Sequence, residues 1–309
     1  MLKSKKKFYK NIDEYADYLL YRTGAEKIDQ VEHQFIETTK GKIAIDVLAF
    51  DDQKPTIIYI PGTALYSFPF IHFLNKFRDA GYNAIGFDPI GHGRSEGKRG
   101  DYDIASLMDD TKAVIEYAKE RFNHKVSLFG SSQGGIVAFY LAAANAKVDS
   151  VICHCIADLS LKENLALTRF PNVFGLLRPS MQMLGKYLPN VNIPVSMYLN
   201  VDKINLKYLG SIENFMNNDP YALHAISSKA LVSLSRDKLP QAIDKIEIPT
   251  MVFIGDKDEI FSVSYIEKLF NQLNCKKQMR VFKNMGHACF SNHPNEVFNA
   301  IEEWLKEIY

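Results

Sequence analysis

One pentapeptide, Gly130-Ser131-Ser132-Gln133-Gly134, constrains the fold of this 309-residue chain more than any other segment. It follows a short apolar run, Val126 to Phe129, that predicts a buried strand, and it precedes apolar residues at helical spacing. A tight strand-to-helix turn requires residues without bulk two positions before and two positions after its central residue. Gly130 and Gly134 meet that requirement around Ser132. The pattern therefore predicts a strained turn that presents the Ser132 hydroxyl beside the positive end of a helix.

The composition is that of an ordinary globular chain, with 47% hydrophobic and 24% charged residues. A formal net charge of +1 disfavours a large nucleic-acid-binding surface. The cysteines form neither a CxxC motif nor a Cys/His cluster with zinc-site spacing. We therefore predict free buried thiols in a reducing, cytoplasmic compartment, with no metal and no organic cofactor. The cysteines are Cys153, Cys155, Cys275 and Cys289.

The N-terminal segment is first basic and then amphipathic. Apolar residues at helical spacing begin near Phe8, so we predict that residues 1–28 form an extension with an amphipathic helix. The segment lacks the apolar core of a signal peptide. Because the basic residues precede the helix rather than line one face of it, we favour a helix docked on the body of the protein. A weak peripheral contact with a membrane surface is the alternative. The basic residues are Lys3, Lys5, Lys6, Lys7 and Lys10.

Apolar runs typical of strands alternate with helical patterns along most of the chain. This alternation predicts the α/β class, with a mostly parallel central sheet that helices cover on both faces. In such sheets the chemistry lies at the carboxyl ends of the strands. The predicted strands are residues 31–39, 43–50, 56–60, 83–88, 125–130, 148–155, 249–255 and 279–282.

The alternation stops between residues 157 and 238. This segment contains no clear strand pattern, is rich in Leu, Met, Tyr and Phe, and is divided by prolines into short helical pieces. We predict a helical cap of residues 157–238, inserted into an α/β core of residues 1–156 and 239–309, that covers a site at the strand ends. A structural insertion that never touches substrate is the alternative.

A serine hydroxyl is a weak nucleophile that needs a general base, and the base needs a carboxylate to orient it. In chains with this type of turn the acid follows the serine and the histidine comes last. Asp258 follows one strand in Gly255-Asp256-Lys257-Asp258, and His287 follows the last strand and a glycine that lets the backbone turn. The predicted catalytic residues are therefore Ser132, Asp258 and His287.

Two of these predicted residues have competitors. Asp256 lies closer to the strand end than Asp258, where we expect it to hold its own turn, and Asp158 follows the sixth strand. His293 competes with His287, but the proline and helical pattern after it indicate the N-terminus of a helix.

An oxyanion that forms on a substrate requires two preorganised N–H donors. We expect the backbone N–H of Gln133, directly after the serine, to be the first donor. The second is expected from the loop at residues 60–64, where Gly62 permits a close backbone approach and the N–H of Thr63 is placed to donate.

Together these motifs resemble the capped α/β-hydrolases, specifically the monoacylglycerol lipase and lysophospholipase-like group. The resemblance covers nearly the whole chain from residue 30 onward, and it implies that the loop after Asp88 is a structural turn. This chain has Pro61 where the family usually has histidine, and Gln133 where it often has methionine; backbone donors tolerate both changes. The motifs are Pro61-Gly62, Asp88-Pro89-Ile90-Gly91-His92-Gly93-Arg94-Ser95, Gly130-Ser131-Ser132-Gln133-Gly134-Gly135, Gly255-Asp256-Lys257-Asp258 and Gly286-His287.

The residues and the resemblance predict a serine hydrolase that cleaves carboxylic esters through an acyl-enzyme on Ser132. The expected small-molecule substrate is a monoglyceride, a lysophospholipid or a simple acyl ester. A thioesterase or peptidase on the same triad is the alternative, although residues 157–238 show no cluster of acidic residues that would bind a free amino terminus. A non-catalytic ligand-binding protein on a hydrolase scaffold is the alternative from another class.

Overall fold

The computed structural model describes Glu14, Asp17, Ile28 and residues 30–309 except Tyr208. The predicted N-terminal extension, with its amphipathic helix and its suggested membrane contact, therefore lies outside the described residues apart from those isolated positions. Four further side chains are not described, those of Arg178, Pro179, Met181 and Gln182.

Six strands precede residue 157: β1 (Glu32–Thr38), β2 (Gly41–Leu48), β3 (Thr56–Ile60), β4 (Asn83–Phe87), β5 (Val126–Ser131) and β6 (Ser150–His154). Short strands follow in residues 157–238: β7 (Asn192–Pro194), β8 (Asn205–Leu206), β9 (Gly210–Ser211) and β10 (Ala225–Ser227). The last two strands are β11 (Thr250–Gly255) and β12 (Lys277–Phe282).

The main sheet has eight strands in the order β1-β2-β4-β3-β5-β6-β11-β12. Strand β2 is antiparallel to β1 and to β4, and every other neighbouring pair in this sheet is parallel. The prediction of a mostly parallel α/β sheet is confirmed. Its central strands are buried along their whole length because neighbouring elements cover both faces, which explains their continuous apolar sequences.

Helices connect the strands. They are α1 (Ile71–Asp79), α2 (Ile104–Arg121), α3 (Gln133–Ala143), α4 (Pro171–Tyr187), α5 (Val195–Tyr198), α6 (Ile212–Asn218), α7 (Ser228–Ser233), α8 (Val263–Phe270), α9 (Cys289–Asn292) and α10 (Pro294–Ile308). Helix α2 begins at a capping box, in which the Asp103 carboxylate accepts from the Ser106 N–H at 2.8 Å. Helix α3 is buried at every residue, as its apolar composition predicts. None of the helices in the described part of the chain combines the length and apolar character needed to cross a bilayer.

Two sequence expectations require correction. Residues 157–238 contain two short antiparallel ribbons, β7 with β10 and β8 with β9, where no strand was expected. Strands of two or three residues are too short to give the alternating pattern that identifies a strand in sequence. All four cysteines are free, but Cys275 is only partly buried, so the prediction of burial was wrong for that residue.

A buried ion cluster holds the loops on one side of the sheet. Arg94 donates to the carboxylates of both Asp46, at 2.6 and 2.8 Å, and Asp88, at 2.8 Å. Asp88 in turn accepts from the N–H and the hydroxyl of Ser67, at 2.9 Å each. Burial disfavours ionisation of Asp46, but the Arg94 charge and the hydrogen bonds from His33 and Arg94 outweigh it and hold the pKa of Asp46 at about 2. The Asp88 loop is thus tied to the segment after β3.

We expect Arg94→Met to lower the free energy of unfolding by about 3–5 kcal/mol, because it leaves two buried carboxylates without their cation. Arg280→Met is the matched control, since the Arg280–Glu303 pair is exposed on both sides and should contribute less than about 1 kcal/mol. Urea denaturation of the two variants and the wild type measures the difference. Equal, small losses in both variants would contradict a structural role for the cluster.

Candidate active site

The turn around Ser132 is built by close backbone packing. Ser132 joins β5 to α3 with φ 54° and ψ −116°, a conformation that few non-glycine residues adopt. A Cβ on Gly130 would lie 2.1 Å from the Gly134 carbonyl oxygen, and one on Gly134 would lie 2.0 Å from the Ile60 carbonyl oxygen. Neither position can carry a side chain, because its Cβ would clash with a backbone carbonyl oxygen. The backbone around Ser132 is therefore tightly packed.

Asp258 and His287 come from two neighbouring strand ends and meet. Asp258 Oδ2 lies 2.8 Å from His287 Nδ1, and Asp258 Oδ1 accepts from the N–H groups of Ile260 and Phe261 at 2.8 Å each. Burial disfavours the Asp258 charge, but His287 and the other hydrogen bonds outweigh burial and lower the pKa of Asp258 to about 2. An ionised Asp258 fixes the proton of His287 on Nδ1, which leaves Nε2 as an acceptor.

The competing residues lie elsewhere. We expected Asp256 to hold its own turn. Its carboxylate instead accepts from the Asn284 N–H at 2.6 Å and so holds the loop that leads to His287. Asp158 accepts from the N–H and the hydroxyl of Ser160 in its own loop. His293 lies at the N-cap position of α10.

No pattern in the sequence points to Glu259, which positions the backbone of His287. Its carboxylate accepts from the His287 N–H at 2.7 Å. A Cβ on Gly286 would lie 2.7 Å from Glu259 Oε1, and Gly286 does not have a positive φ. A side chain at this position would displace the Glu259 carboxylate that accepts from the His287 N–H. Without a positive φ, the backbone turn itself does not require glycine, contrary to the sequence expectation.

Two further residues contact Asp258: His154, the last residue of β6, and Cys155, which follows it. His154 Nε2 lies 3.8 Å from Asp258 Oδ2, and the Cys155 thiol donates to the same oxygen at 3.6 Å. Burial is the main cause that lowers the pKa of His154 to about 3, so its ring is neutral. No periodic or motif signal points to these two residues, because the contact depends on the pairing of β6 with β11.

The two expected oxyanion donors lie next to Ser132. Among the residues that the structure describes, none accepts a hydrogen bond from the backbone N–H of Thr63 or Gln133. A Cβ on Gly62 would lie 3.4 Å from Ser132 Cβ, which shows how closely this loop approaches the serine. The Gln133 side chain accepts from the Tyr102 hydroxyl at 3.1 Å and is buried, so its amide is held by the core.

A cavity that is partly open to solvent lies on one side of Ser132, and its space together with the solvent at its mouth is about 830 Å³. Thr63 and Gln133 line it beside the serine, and most of its wall comes from residues 157–238. Its described side chains are apolar or neutral, and no acid, lysine or arginine is among them. The apolar wall includes Leu159, Leu161, Leu165, Leu167, Phe174 and Leu231.

A second cavity of about 480 Å³ reaches Ser132 from the side of His287. Its polar side chains are Thr63, Ser131, Ser132 and His287, which all belong to the segments that carry the candidate catalytic groups. The other described residues of its wall are apolar and include Leu65, Phe70, Val201, Ile204, Leu206 and Ile212. Both cavities therefore meet at the serine, and within the described part of the chain no acid, lysine or arginine lines either of them.

The strand order, together with a strained serine turn at the carboxyl end of β5, defines the chain as an α/β-hydrolase. A family model described as serine aminopeptidase, S33, matches residues 51–294, and the chain belongs to that family.

Monoacylglycerol lipases are prominent among the similar proteins. The chain is 25% identical to one from Mycolicibacterium smegmatis over 287 residues, which covers 89% of this chain and 96% of the relative. Two solved structures share the fold: a Paleococcus ferrophilus monoacylglycerol lipase (TM-score 0.69, 22% identity, 86% of this chain and 99% of that one) and a soluble variant of monoglyceride lipase from Saccharomyces cerevisiae (TM-score 0.74, 17% identity, 92% and 97%). The chain is thus monoacylglycerol lipase-like, a hydrolase of the lipase or esterase type.

The buried neutral ring of His154 predicts a pH dependence of stability. Its pKa is lowered to about 3 in the folded chain, against about 6.5 when unfolded. Between these values the unfolded chain binds the extra proton, so this contribution to stability is complete above pH 6.5 and is lost as the pH falls. We expect His154→Leu to reduce the slope of unfolding free energy against pH by about 1.4 kcal/mol per pH unit between pH 6 and 4.5.

Urea denaturation at several pH values measures this slope. His124→Leu is the control, because the His124 side chain is exposed in the folded chain and its loss should leave the slope unchanged. A His154→Leu slope equal to that of the wild type would contradict a neutral, buried His154.

Proposed function

We propose that the chain is a serine carboxylic ester hydrolase with Ser132 as nucleophile, His287 as general base and Asp258 as the residue that orients His287. The observation that carries this proposal is the 2.8 Å contact of Asp258 with His287, at a cavity that both His287 and the strained Ser132 line. A serine alone is a poor nucleophile, and this arrangement supplies the base and the carboxylate that it needs.

The reaction follows from these positions. His287 Nε2 removes the Ser132 proton as Oγ attacks the ester carbonyl, and ionised Asp258 stabilises the imidazolium. The N–H groups of Thr63 and Gln133 bind the oxyanion. His287 then protonates the leaving alcohol, and afterwards it activates a water that hydrolyses the acyl-enzyme.

The walls of the cavities support a neutral substrate. An aminopeptidase needs a carboxylate to bind the ammonium group of its substrate, and a lysophospholipid needs a cation for its phosphate. Among the residues that the structure describes, those that line the two cavities include no acid, lysine or arginine. This absence disfavours a charged amine or phosphate near the scissile bond, and it favours an ester with an apolar acyl chain.

The position of His287 supports one orientation of the ester, with its alcohol part in one cavity and its acyl chain in the other. His287 must protonate the leaving oxygen, and it lines the second cavity but not the first. The alcohol part therefore occupies the second cavity, and the acyl chain occupies the larger first cavity. Because the second cavity is apolar beyond the reacting groups, it fits an alkyl alcohol better than a glycerol with two free hydroxyls.

Ser132→Ala should lower kcat toward p-nitrophenyl esters by a factor on the order of 10⁶. The wild type and the variant are compared on esters from acetate to palmitate. Ser131→Ala is the matched control, since it removes the neighbouring hydroxyl only, and its rate should stay within about tenfold of the wild type. Ester hydrolysis that persists in Ser132→Ala would overturn the assignment of the nucleophile.

The alcohol pocket is tested with two esters of one acid and one three-carbon skeleton, propyl octanoate and 1-monooctanoylglycerol. We expect kcat/KM to be at least about tenfold higher for propyl octanoate, because a buried hydroxyl without a partner costs about 1–3 kcal/mol. Val201→Thr adds a hydroxyl to the pocket at nearly constant volume. It should reduce the ratio of kcat/KM for propyl octanoate to kcat/KM for 1-monooctanoylglycerol. An equal or higher value for the monoglyceride would contradict an apolar alcohol site.

A further inference from the structure

His154 is an unusual buried side chain. It is fully buried, and both of its ring nitrogens lack a hydrogen-bond partner among the described residues. Its ring stacks on Phe253, with centroids 5.1 Å apart at 20°, and lies 4.8 Å from the ring of His287. Buried polar atoms are almost always paired, so an unpaired imidazole beside a carboxylate calls for an explanation.

Cys155 is also placed in an uncommon way. Its φ is 67°, in the left-handed region that non-glycine residues rarely adopt, and its N–H donates to the Phe253 carbonyl at 3.1 Å. The thiol reaches the same Asp258 oxygen that His287 contacts. A strained backbone thus holds a sulfur next to the imidazole of His154 and the carboxylate of Asp258.

The side chains of His154, Cys155, Asp258 and His287 lie close enough together to bind one metal ion. Measured from Asp258 Oδ2, the other atoms lie at 2.8 Å (His287 Nδ1), 3.6 Å (Cys155 Sγ) and 3.8 Å (His154 Nε2), and the four ligand atoms all lie within 4.8 Å of one another. In a tetrahedral zinc site the ligand atoms are separated by about 3.3 Å for nitrogen and oxygen and about 3.6 Å for sulfur and oxygen. Small side-chain shifts would close the set around one ion.

The ligand chemistry and the charge both fit zinc. One sulfur, two imidazoles and one carboxylate are the donors that zinc prefers. We propose that Zn²⁺ binds His154, Cys155, Asp258 and His287 and thereby inhibits the enzyme. The Cys155 thiol loses its proton to solvent and binds as thiolate, so the two anionic ligands neutralise the ion in a buried site.

Inhibition follows from the tautomer of His287. When Nδ1 binds the ion through its lone pair, the ring proton resides on Nε2, which then cannot accept the Ser132 proton. The inhibitory part of this proposal rests on the proposed function, whereas the binding part does not. The two can therefore fail separately.

Binding is measured on Ser132→Ala protein, with Co²⁺ as a spectroscopic probe and Zn²⁺ as competitor. A tetrahedral site with a thiolate ligand should give a charge-transfer band in the near ultraviolet at one Co²⁺ per chain, and Zn²⁺ should remove it. Calorimetry of Zn²⁺ binding in two buffers of different ionisation enthalpy should show release of one proton, and this test needs no variant in the cluster. Absence of the band or of the proton release would overturn the site.

Variants locate the ion. His154→Leu and Cys155→Ser should each weaken Zn²⁺ binding by at least about tenfold, whereas Cys153→Ser, a buried thiol two positions earlier, should not. In enzyme with Ser132 intact, the Zn²⁺ concentration that halves activity should rise by the same factor in His154→Leu and in Cys155→Ser. The activity of each variant is measured relative to its own rate without Zn²⁺. Removal of Zn²⁺ by a chelator should restore activity. Equal inhibition in all variants, or binding without inhibition, would contradict the proposal. A chain without esterase activity would contradict the proposed function, and the Co²⁺ spectrum would still decide the site.

Discussion

The site depends on the contact of three backbone segments at the serine turn. Strand β3, strand β5 and helix α3 approach so closely that a single Cβ on Gly134 would lie 2.0 Å from the carbonyl oxygen of Ile60. This contact holds Ser132 at a positive φ and brings the loop of Thr63 beside it. Ser132, the proposed nucleophile, and the two expected oxyanion donors are therefore positioned by main-chain packing.

Buried carboxylates are the second feature that shapes the site, and each is stabilised in its own way. Asp258 is ionised because His287 and two backbone N–H groups donate hydrogen bonds to its carboxylate, and Asp46 is ionised because Arg94 lies against it. By contrast, the lining of the two cavities at Ser132, as far as the structure describes it, includes no acid, lysine or arginine. The buried carboxylates of Asp258 and Asp46 thus lie outside the lining of the two cavities, where they orient His287 and Arg94, and the described cavity walls are neutral.

The sequence predicted the elements that local patterns determine. Strand β3 was predicted to the residue, and Asp258 was preferred over Asp256 because of its distance from the strand end; the structure places it against His287. The contacts of His154 and Cys155 could not be predicted, because they depend on which strands are neighbours in the sheet. Two-residue strands in residues 157–238 carry no periodic signal, and the boundaries of a cap in that segment stay a prediction.

The central claim is that Ser132 is a nucleophile activated by His287. The most direct measurement is the intact mass of the folded protein after exposure to a fluorophosphonate, followed by peptide mapping. We predict one adduct per chain, on Ser132, formed at a rate that falls strongly in His287→Ala. No adduct on the folded protein, or an adduct on another residue, would contradict the account.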